Sequence, residues 1–186
     1  VAALSESQFT WGLQAVQAHS SCHSGKGIRL AVLDTGMDLG HPDFKGRRIS
    51  RQSFVPGQQV QDGHGHGTHC IGTAAGPKSP GQLPRYGVAH EAAIYAGKVL
   101  SNGGSGGDGG ILAGINWAVA SKCQIVSMSL GAPVPVGAGP SAIYEQVARR
   151  ALNAGTLIVA AAGNNGRRPV SRPANSPSIM AVSAID

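Results

Sequence analysis

Charged and aromatic residues are both scarce in this sequence, and neither long apolar runs nor CxxC pairs occur in it. Charged residues make up 13% and hydrophobic residues 41% of the 186 residues, a balance that argues against intrinsic disorder. No apolar stretch reaches the length of a membrane-spanning helix, so no membrane partner is expected. The first residues, VAALSESQFTW, lack the charged and apolar segments of a signal peptide, so we expect a chain that is either mature and processed or cytosolic.

The net charge of +6 raises the question of a nucleic-acid partner. The basic residues are scattered, apart from the run at Lys45–Arg51 and the pairs Arg149–Arg150 and Arg167–Arg168. Aromatic residues make up 4% of the chain and do not interleave with the basic ones. We therefore expect a solvated basic surface and no nucleic-acid partner.

Three cysteines, Cys22, Cys70 and Cys123, leave at least one free thiol unless a partner lies elsewhere. Because no CxxC pair exists, neither a cysteine zinc site nor a thioredoxin-like site is supported. The sequence leaves open whether Cys22 and Cys123 pair with each other.

Short apolar runs alternate along the chain with segments of helical periodicity. Predicted strands lie at 28–34, 92–99, 124–130, 156–162 and 178–183, and predicted helices at 12–20, 66–75, 111–121 and 141–153. This alternation predicts an α/β fold of three layers, α/β/α, with helices on both faces of a mostly parallel sheet. The length suits one domain over residues 1–186.

Ligands bind at the carboxyl ends of the strands in sheets of this kind. Four segments directly follow predicted strands: Asp34, the loop after Val99, Ser129–Gly131 and Gly163–Asn164. We therefore expect these segments to converge on one edge of the sheet and to form the functional site there.

The stretch DGHGHGTHC places His64, His66 and His69 within six positions. A zinc site would need further ligands, and the Glu of the HExxH motif is missing. A catalytic base fits His66 better, because it begins a predicted helix at the edge where the Asp34 carboxylate can hold its tautomer. We expect His64 to be a loop residue and His69 to be buried beside the sheet. The glycine-rich stretch at 101–110 lacks the lysine of a Walker motif, which disfavours nucleotide binding.

Five blocks follow one another, DTGMDLGHPDF, HGTHCIGT, KVLSNGGSG, SMSLG and AAAGNNG, and together they resemble the subtilisin-like serine proteases, or subtilases. The similarity runs from near Phe9 to the last residue. It implies a subtilisin-like fold and a serine endopeptidase that needs no cofactor for catalysis. Asp34 would orient the histidine, His66 would be the general base and Asn164 would be the side-chain donor of the oxyanion hole. An extended protein or peptide substrate would lie between two backbone segments, Gly104, Ser105 and Gly106 on one side and Ser129, Leu130 and Gly131 on the other.

The nucleophilic serine of this family lies in a block of the GTSMAxP type, and no such block occurs in these residues. We therefore expect the C-terminal part of the fold, with the serine, to lie outside this chain, and the chain alone to be inactive. The alternative is a subtilase-like module that binds peptides without cleaving them. A third class, zinc or nucleotide binding, depends only on the histidine run and the glycine-rich stretch.

Other features of the resemblance concern thiols, metals and specificity. Cys70 follows the histidine block as in proteinase K-like members, which predicts sensitivity to mercurials. Asp43 matches a calcium ligand of bacterial subtilisins, so it is a candidate for a structural calcium site, although its partners are not evident. Asp108 replaces an aromatic residue at the rim of a distal substrate pocket, which predicts tolerance of a basic substrate side chain. The resemblance also implies a removable propeptide and secretion.

Overall fold

The computed structural model of the protein describes residues 5–184, and its centre is a parallel sheet of six strands. The strands are β1 (Arg29–Asp34), β2 (Ile49–Ser53), β3 (Ala93–Lys98), β4 (Ile125–Met128), β5 (Leu157–Ala161) and β6 (Met180–Val182). Their order across the sheet is β2-β3-β1-β4-β5-β6, and each pairing between neighbours is parallel. The carboxyl ends of the strands therefore share one edge, as the sequence predicted.

Helices account for most of the remaining regular structure. They are α1 (Trp11–Ala15), α2 (His66–Ala75), α3 (Asp108–Ala120) and α4 (Ala142–Asn153), with 3₁₀ turns at Ala18–Ser20 and Pro42–Phe44. Within residues 5–184, none of the helices has both the length and the apolar composition that crossing a bilayer requires.

Alternate residues of β1 divide between two apolar clusters, one on each face of the sheet. Ala31 and Leu33 pack with residues of α3 and α4, whereas Leu30 and Val32 pack with Ile71 of α2. Full burial of a side chain the size of Leu33 stabilises such layers by about 1.5–3 kcal/mol. The predicted three-layer α/β/α fold with a parallel sheet is thereby confirmed.

The five predicted strands are confirmed, but β2 was missed. Its sequence, ISRQS, overlaps the basic run at Lys45–Arg51 and carries no continuous apolar pattern. β2 is an edge strand that pairs only with β3, so its residues stay partly or fully exposed and need no apolar character. The apolar criterion that finds buried strands cannot detect such an edge.

Two predicted helices have different bounds in the structure. The helix predicted at 12–20 is instead the short α1 followed by a 3₁₀ turn, because Gln17 adopts a left-handed conformation with φ of 56° between them. The helix predicted at 111–121 begins earlier, at Asp108, whose carboxylate lies in the first turn where the helix dipole favours negative charge. Part of the glycine-rich stretch at 101–110 is therefore helical.

Candidate active site

A cleft with a volume of about 550 Å³ opens at the carboxyl edge of the sheet. It brings together nearly all of the predicted site residues. Those that line it are His66, Gly104, Ser105, Gly106, Ser129, Leu130, Gly131 and Asn164. Asp34 lies behind His66 and is 1% exposed, so it reaches the cleft only through the imidazole.

A buried carboxylate and a half-exposed imidazole form the centre of the site. His66 Nδ1 lies 2.7 Å from Asp34 Oδ1, and the Thr35 backbone N–H donates to the same oxygen at 2.7 Å. Because an ionised carboxylate can only accept, Nδ1 carries the proton and Nε2 is left as an acceptor. The His66 side chain is 44% exposed, so this nitrogen is accessible from the cleft. The pair therefore has the orientation of a general base and the acid that holds its tautomer.

Close backbone packing at the start of α2 sets the position of His66. A side chain at Gly67 would collide with the carbonyl oxygen of Gly36 and would lie 2.9 Å from the Gly36 nitrogen. Gly65, which precedes the helix, has φ of 98°, a conformation that side chains rarely adopt. The glycines on both sides of His66 thus allow α2 to begin directly against the turn that follows Asp34.

The sequence analysis missed Asp62, which organises the histidine loop. Its Oδ1 accepts from the backbone N–H groups of His64 and Gly65 and from the Thr35 hydroxyl, each at 2.9 Å. Its Oδ2 accepts from the backbone N–H and hydroxyl of Thr68 at 2.9 and 2.7 Å. Burial alone would raise the pKa of Asp62, but hydrogen bonds from Thr68, Gly65 and His64 outweigh burial and hold it well below its usual range. An acid shortly before a predicted helix is a capping signal that could have identified it.

A buried lysine behind the cleft was also missed. Lys98 is 0% exposed, and its Nζ donates to the Thr35 carbonyl and, at 2.8 Å, to Asn102 Oδ1. The same Asn102 oxygen accepts from the Gly63 backbone N–H at 3.2 Å. Lys98 therefore connects the turn after Asp34, the histidine loop and the glycine-rich segment. The sequence signal was a charged residue at the end of an otherwise apolar strand.

Two loop segments rich in glycine and serine line the cleft. One contains Gly104–Gly106, whose Gly106 lies so close to the Val99 carbonyl that no side chain would fit. The other contains Ser129–Gly131 and continues into an antiparallel bridge between Ala132 and Arg172. Walls of small residues let a peptide backbone approach closely and form strand-like hydrogen bonds.

Asn164 follows β5 and is an exposed residue that lines the cleft. Within the described residues, its side-chain amide has no hydrogen-bond partner, so its N–H groups are available to a ligand. The preceding Gly163 has φ of 108°, and a side chain there would collide with the Ser171 hydroxyl. This turn presents the amide on the same side of the sheet edge as His66.

The other two histidines lie in different surroundings. His64 is an exposed loop residue as predicted, and its ring is edge-on to that of His66 with centroids 6.2 Å apart. The prediction that His69 is buried was wrong. α2 turns Gly67, Ile71, Gly72 and Ala75 toward the sheet, which leaves His69 exposed beside a second cavity of about 470 Å³.

The three histidines do not form a metal site together. Over residues 5–184, the group of potential ligands whose atoms lie within 4.8 Å of one another is Asp34, His66 and Cys70. Cys70 Sγ lies 3.8 Å from His66 Nδ1, and burial raises the pKa of its thiol. Cys22 is exposed and Cys123 buried, and both are free thiols rather than a disulfide.

Asp43, the candidate calcium ligand, has hydrogen-bond donors on both oxygens. Tyr86 OH donates to Oδ2 at 2.6 Å and the Gly81 backbone N–H donates to Oδ1 at 2.8 Å. These donors, Tyr86 first and then Gly81, lower the pKa of the carboxyl. In the described part of the chain Asp43 belongs to no cluster of three or more His, Cys, Asp or Glu ligand atoms, and calcium at Asp43 stays a prediction.

The parallel α/β sheet, with a His–Asp pair and a free amide at its carboxyl edge, defines the class of subtilisin-like α/β proteins. Sequence comparisons agree: residues 25–186 match the Subtilase family, and the chain belongs to that family. It is 44% identical over 181 residues to Subtilisin Savinase of Lederbergia lenta, which covers 95% of this chain and 63% of that protein. It is 42% identical over 181 residues to a Thermostable alkaline protease of Halalkalibacterium halodurans, and the match covers 95% of this chain and 47% of that protein. Subtilisin E of Bacillus subtilis is 39% identical to it over 186 residues, and the match covers 95% of this chain and 46% of that protein.

The chain thus spans 63% or less of the length of these relatives. The resemblance to subtilases drawn from the five sequence blocks is confirmed.

Proposed function

We propose that the complete protein containing this chain is a serine endopeptidase of the subtilisin type. The observation that carries the proposal is the contact between the buried Asp34 carboxylate and His66 Nδ1, at 2.7 Å, beside a cleft lined by Gly104–Gly106 and Ser129–Gly131. The sequence contains no GTSMAxP block, so the nucleophilic serine is supplied from outside these 186 residues.

His66 performs the proton transfers of the proposed reaction. Nε2 takes the proton of the serine hydroxyl as the oxygen attacks the carbonyl carbon of the substrate, and then gives that proton to the leaving amine. Asp34 stabilises the imidazolium formed between these steps through its contact with Nδ1. A water molecule then attacks the acyl-enzyme, again with His66 as the base, and releases the free acid.

Asn164 stabilises the negative charge that develops on the substrate oxygen. Its exposed amide has no competing partner in the described residues, so the donor needs no rearrangement before the reaction. In subtilisin, a relative of this chain, loss of such a donor costs about 10²–10³ in kcat. We expect a similar loss for Asn164→Leu in the complete protein.

The substrates in this proposal are proteins or peptides bound in extended form. Gly104–Gly106 and Ser129–Gly131 offer backbone groups on both sides of the cleft, and a peptide between them would add a strand to each wall. Affinity would come mainly from main-chain hydrogen bonds, with side chains selected by pockets along the cleft. Secretion and removal of a propeptide belong to the same proposal, and the mature protein is expected in the culture medium.

The test is hydrolysis of unfolded protein and of peptides by the complete protein and two histidine variants. His66→Ala should abolish cleavage, whereas His69→Ala, which alters an exposed residue one turn further along α2, should leave it unchanged. Full activity of His66→Ala would contradict the proposal. Saturable peptide binding without cleavage by the wild type would instead support the alternative, a binding module.

A further inference from the structure

An ion pair lies at the rim of the cleft, between two segments that both line it. Asp108 begins α3, Arg172 lies in the loop after β5, and Arg172 Nη1 is 3.7 Å from Asp108 Oδ2. Their side chains are 54% and 44% exposed, so both charges are within reach of a bound peptide. The apolar residues Ile111 and Leu130 also line the cleft.

The aspartate is the better satisfied partner of this pair. Its other oxygen, Oδ1, accepts from Tyr144 OH at 3.0 Å, and Tyr144 is only 3% exposed. Burial, followed by this hydrogen bond and the charge of Asp108, raises the pKa of Tyr144, so the phenol remains a donor. Asp108 is thereby held at the rim by a buried group and contacts Arg172 as well.

The arginine, in contrast, retains most of its binding capacity. A guanidinium has five N–H donors, and in the described residues the one polar contact of the Arg172 guanidinium is with Asp108, at a distance longer than a hydrogen bond. Its backbone is fixed, because its N–H donates to Ala132 O at 3.0 Å and its carbonyl accepts from Ala132 N–H at 2.9 Å. The same loop carries exposed Arg167 and Arg168, which add positive charge.

We propose that Arg172 determines specificity by binding an acidic side chain of the substrate at this end of the cleft. The carboxylate would take paired hydrogen bonds from the planar guanidinium, while Asp108 keeps its bond to Tyr144. This inference rests on the proposed function. It differs from the expectation from the sequence that Asp108 lets the rim tolerate a basic side chain, because Tyr144 and Arg172 already contact that carboxylate.

The experiment measures kcat/KM of the complete protein for matched peptides. Each peptide carries Glu, Gln or Lys at one of the four positions before the cleaved bond and is otherwise unchanged. We expect Glu to be preferred over Gln by about twofold to fivefold at one of these positions, as for a partly exposed charge pair. Arg172→Gln should remove the preference for Glu. In the wild type this preference should decline in high salt. Arg51→Gln, which removes one exposed positive charge from the distant β2, is the control and should keep it.

Equal rates for Glu and Gln at all four positions, or a preference that survives Arg172→Gln, would overturn the inference while leaving the proposed peptidase intact. If no peptide is cleaved, the proposed function fails instead. Fluorescence anisotropy with the same peptides then applies the same criterion to affinity: tighter binding of Glu than of Gln, lost in Arg172→Gln, supports the inference, and equal binding overturns it.

Discussion

Asp34 and Lys98 are register partners on β1 and β3, and both side chains leave the sheet on the face covered by α2, yet they do not pair with each other. The Asp34 carboxylate contacts His66, while the Lys98 ammonium donates to the Thr35 carbonyl and to Asn102 Oδ1. Two buried charges on adjacent strands thus organise two different parts of the cleft. Lys98 fixes the loops around the site, and Asp34 fixes the imidazole of His66.

Removing the acceptor of this lysine should destabilise the fold. Asn102→Ala leaves the buried ammonium with only the Thr35 carbonyl, and we expect the free energy of unfolding to fall by about 1–3 kcal/mol. In a Lys98→Met background the same change should cost much less, because no charge remains to be satisfied. Urea unfolding of the wild type, the two single variants and the double variant measures the coupling free energy between Asn102 and Lys98. Equal costs in both backgrounds would show that Asn102 acts independently of Lys98.

Asp62 should stabilise the histidine loop in a pH-dependent way. Asp62→Asn weakens the acceptor of five hydrogen bonds and should lower the free energy of unfolding at neutral pH by about 1–3 kcal/mol. Because the pKa of Asp62 is lower in the folded state, its contribution is complete above the unfolded value of about 3.9 and is lost as pH falls further.

The difference between wild type and Asp62→Asn should therefore be constant above about pH 5 and should shrink below about pH 4. Chemical denaturation at a series of pH values measures this difference. A difference in the free energy of unfolding that grows as the pH falls would contradict the lowered pKa of Asp62. Asp38→Asn, which alters a partly buried aspartate bonded to Gln61 and Gly40, is a control for loss of one negative charge.

Two glycine-to-alanine substitutions in helices should have opposite effects on stability, because one glycine is closely packed and the other is not. Gly67→Ala would force the start of α2 away from Gly36, so we expect a loss of about 1–3 kcal/mol and a much lower kcat, since His66 would shift from Asp34. Gly109→Ala places the same methyl in open space in α3 and should be neutral or stabilising by up to about 1 kcal/mol. Thermal unfolding and peptide hydrolysis test both. Normal activity of Gly67→Ala would disprove the packing argument.

Cys70 should make the complete protein sensitive to mercurials, because a metal on its sulfur, 3.8 Å from His66 Nδ1, would disturb the imidazole. We expect p-chloromercuribenzoate to inhibit hydrolysis by the wild type and to have little effect on Cys70→Ala. The exposed Cys22 will react as well, so Cys22→Ser should remain inhibited. If Cys22→Ser abolished the inhibition and Cys70→Ala did not, the sensitive thiol would be Cys22 rather than Cys70.

Much of the architecture was predictable because buried parallel strands leave a strong apolar pattern, and the structure confirms all five strands that show one. The convergence of Asp34 and Asn164 followed from strand direction, since parallel strands end at one edge. His66 was placed beside Asp34 because it begins a predicted helix. β2 lacked the pattern because an edge strand has little buried surface. The prediction that His69 is buried was wrong because α2 has small residues on both sides, so the sequence does not show which face meets the sheet.

The supporting residues of the site were harder to predict for a different reason. Asp62 bonds to backbone groups of its own loop, and its capping position before α2 was the signal that marked it. Lys98 and Asn102 bond to backbone groups of Thr35 and Gly63 that are distant in sequence, and no periodicity marks such contacts. The Asp108–Arg172 pair likewise joins residues 64 positions apart, and only the folded chain shows that Tyr144 shares the aspartate. Patterns along the chain reveal which elements form, whereas these pairings depend on how the elements meet.

The central claim, that Asp34 and His66 activate a serine beside the Asn164 amide, is tested most directly by labelling the complete protein with a fluorophosphonate. We predict covalent attachment to one serine in the wild type, a rate at least about a hundredfold lower in His66→Ala, and an unchanged rate in His69→Ala. Mass spectrometry identifies the labelled residue. No labelling of the wild type, or labelling at equal rates in wild type and His66→Ala, would contradict the claim.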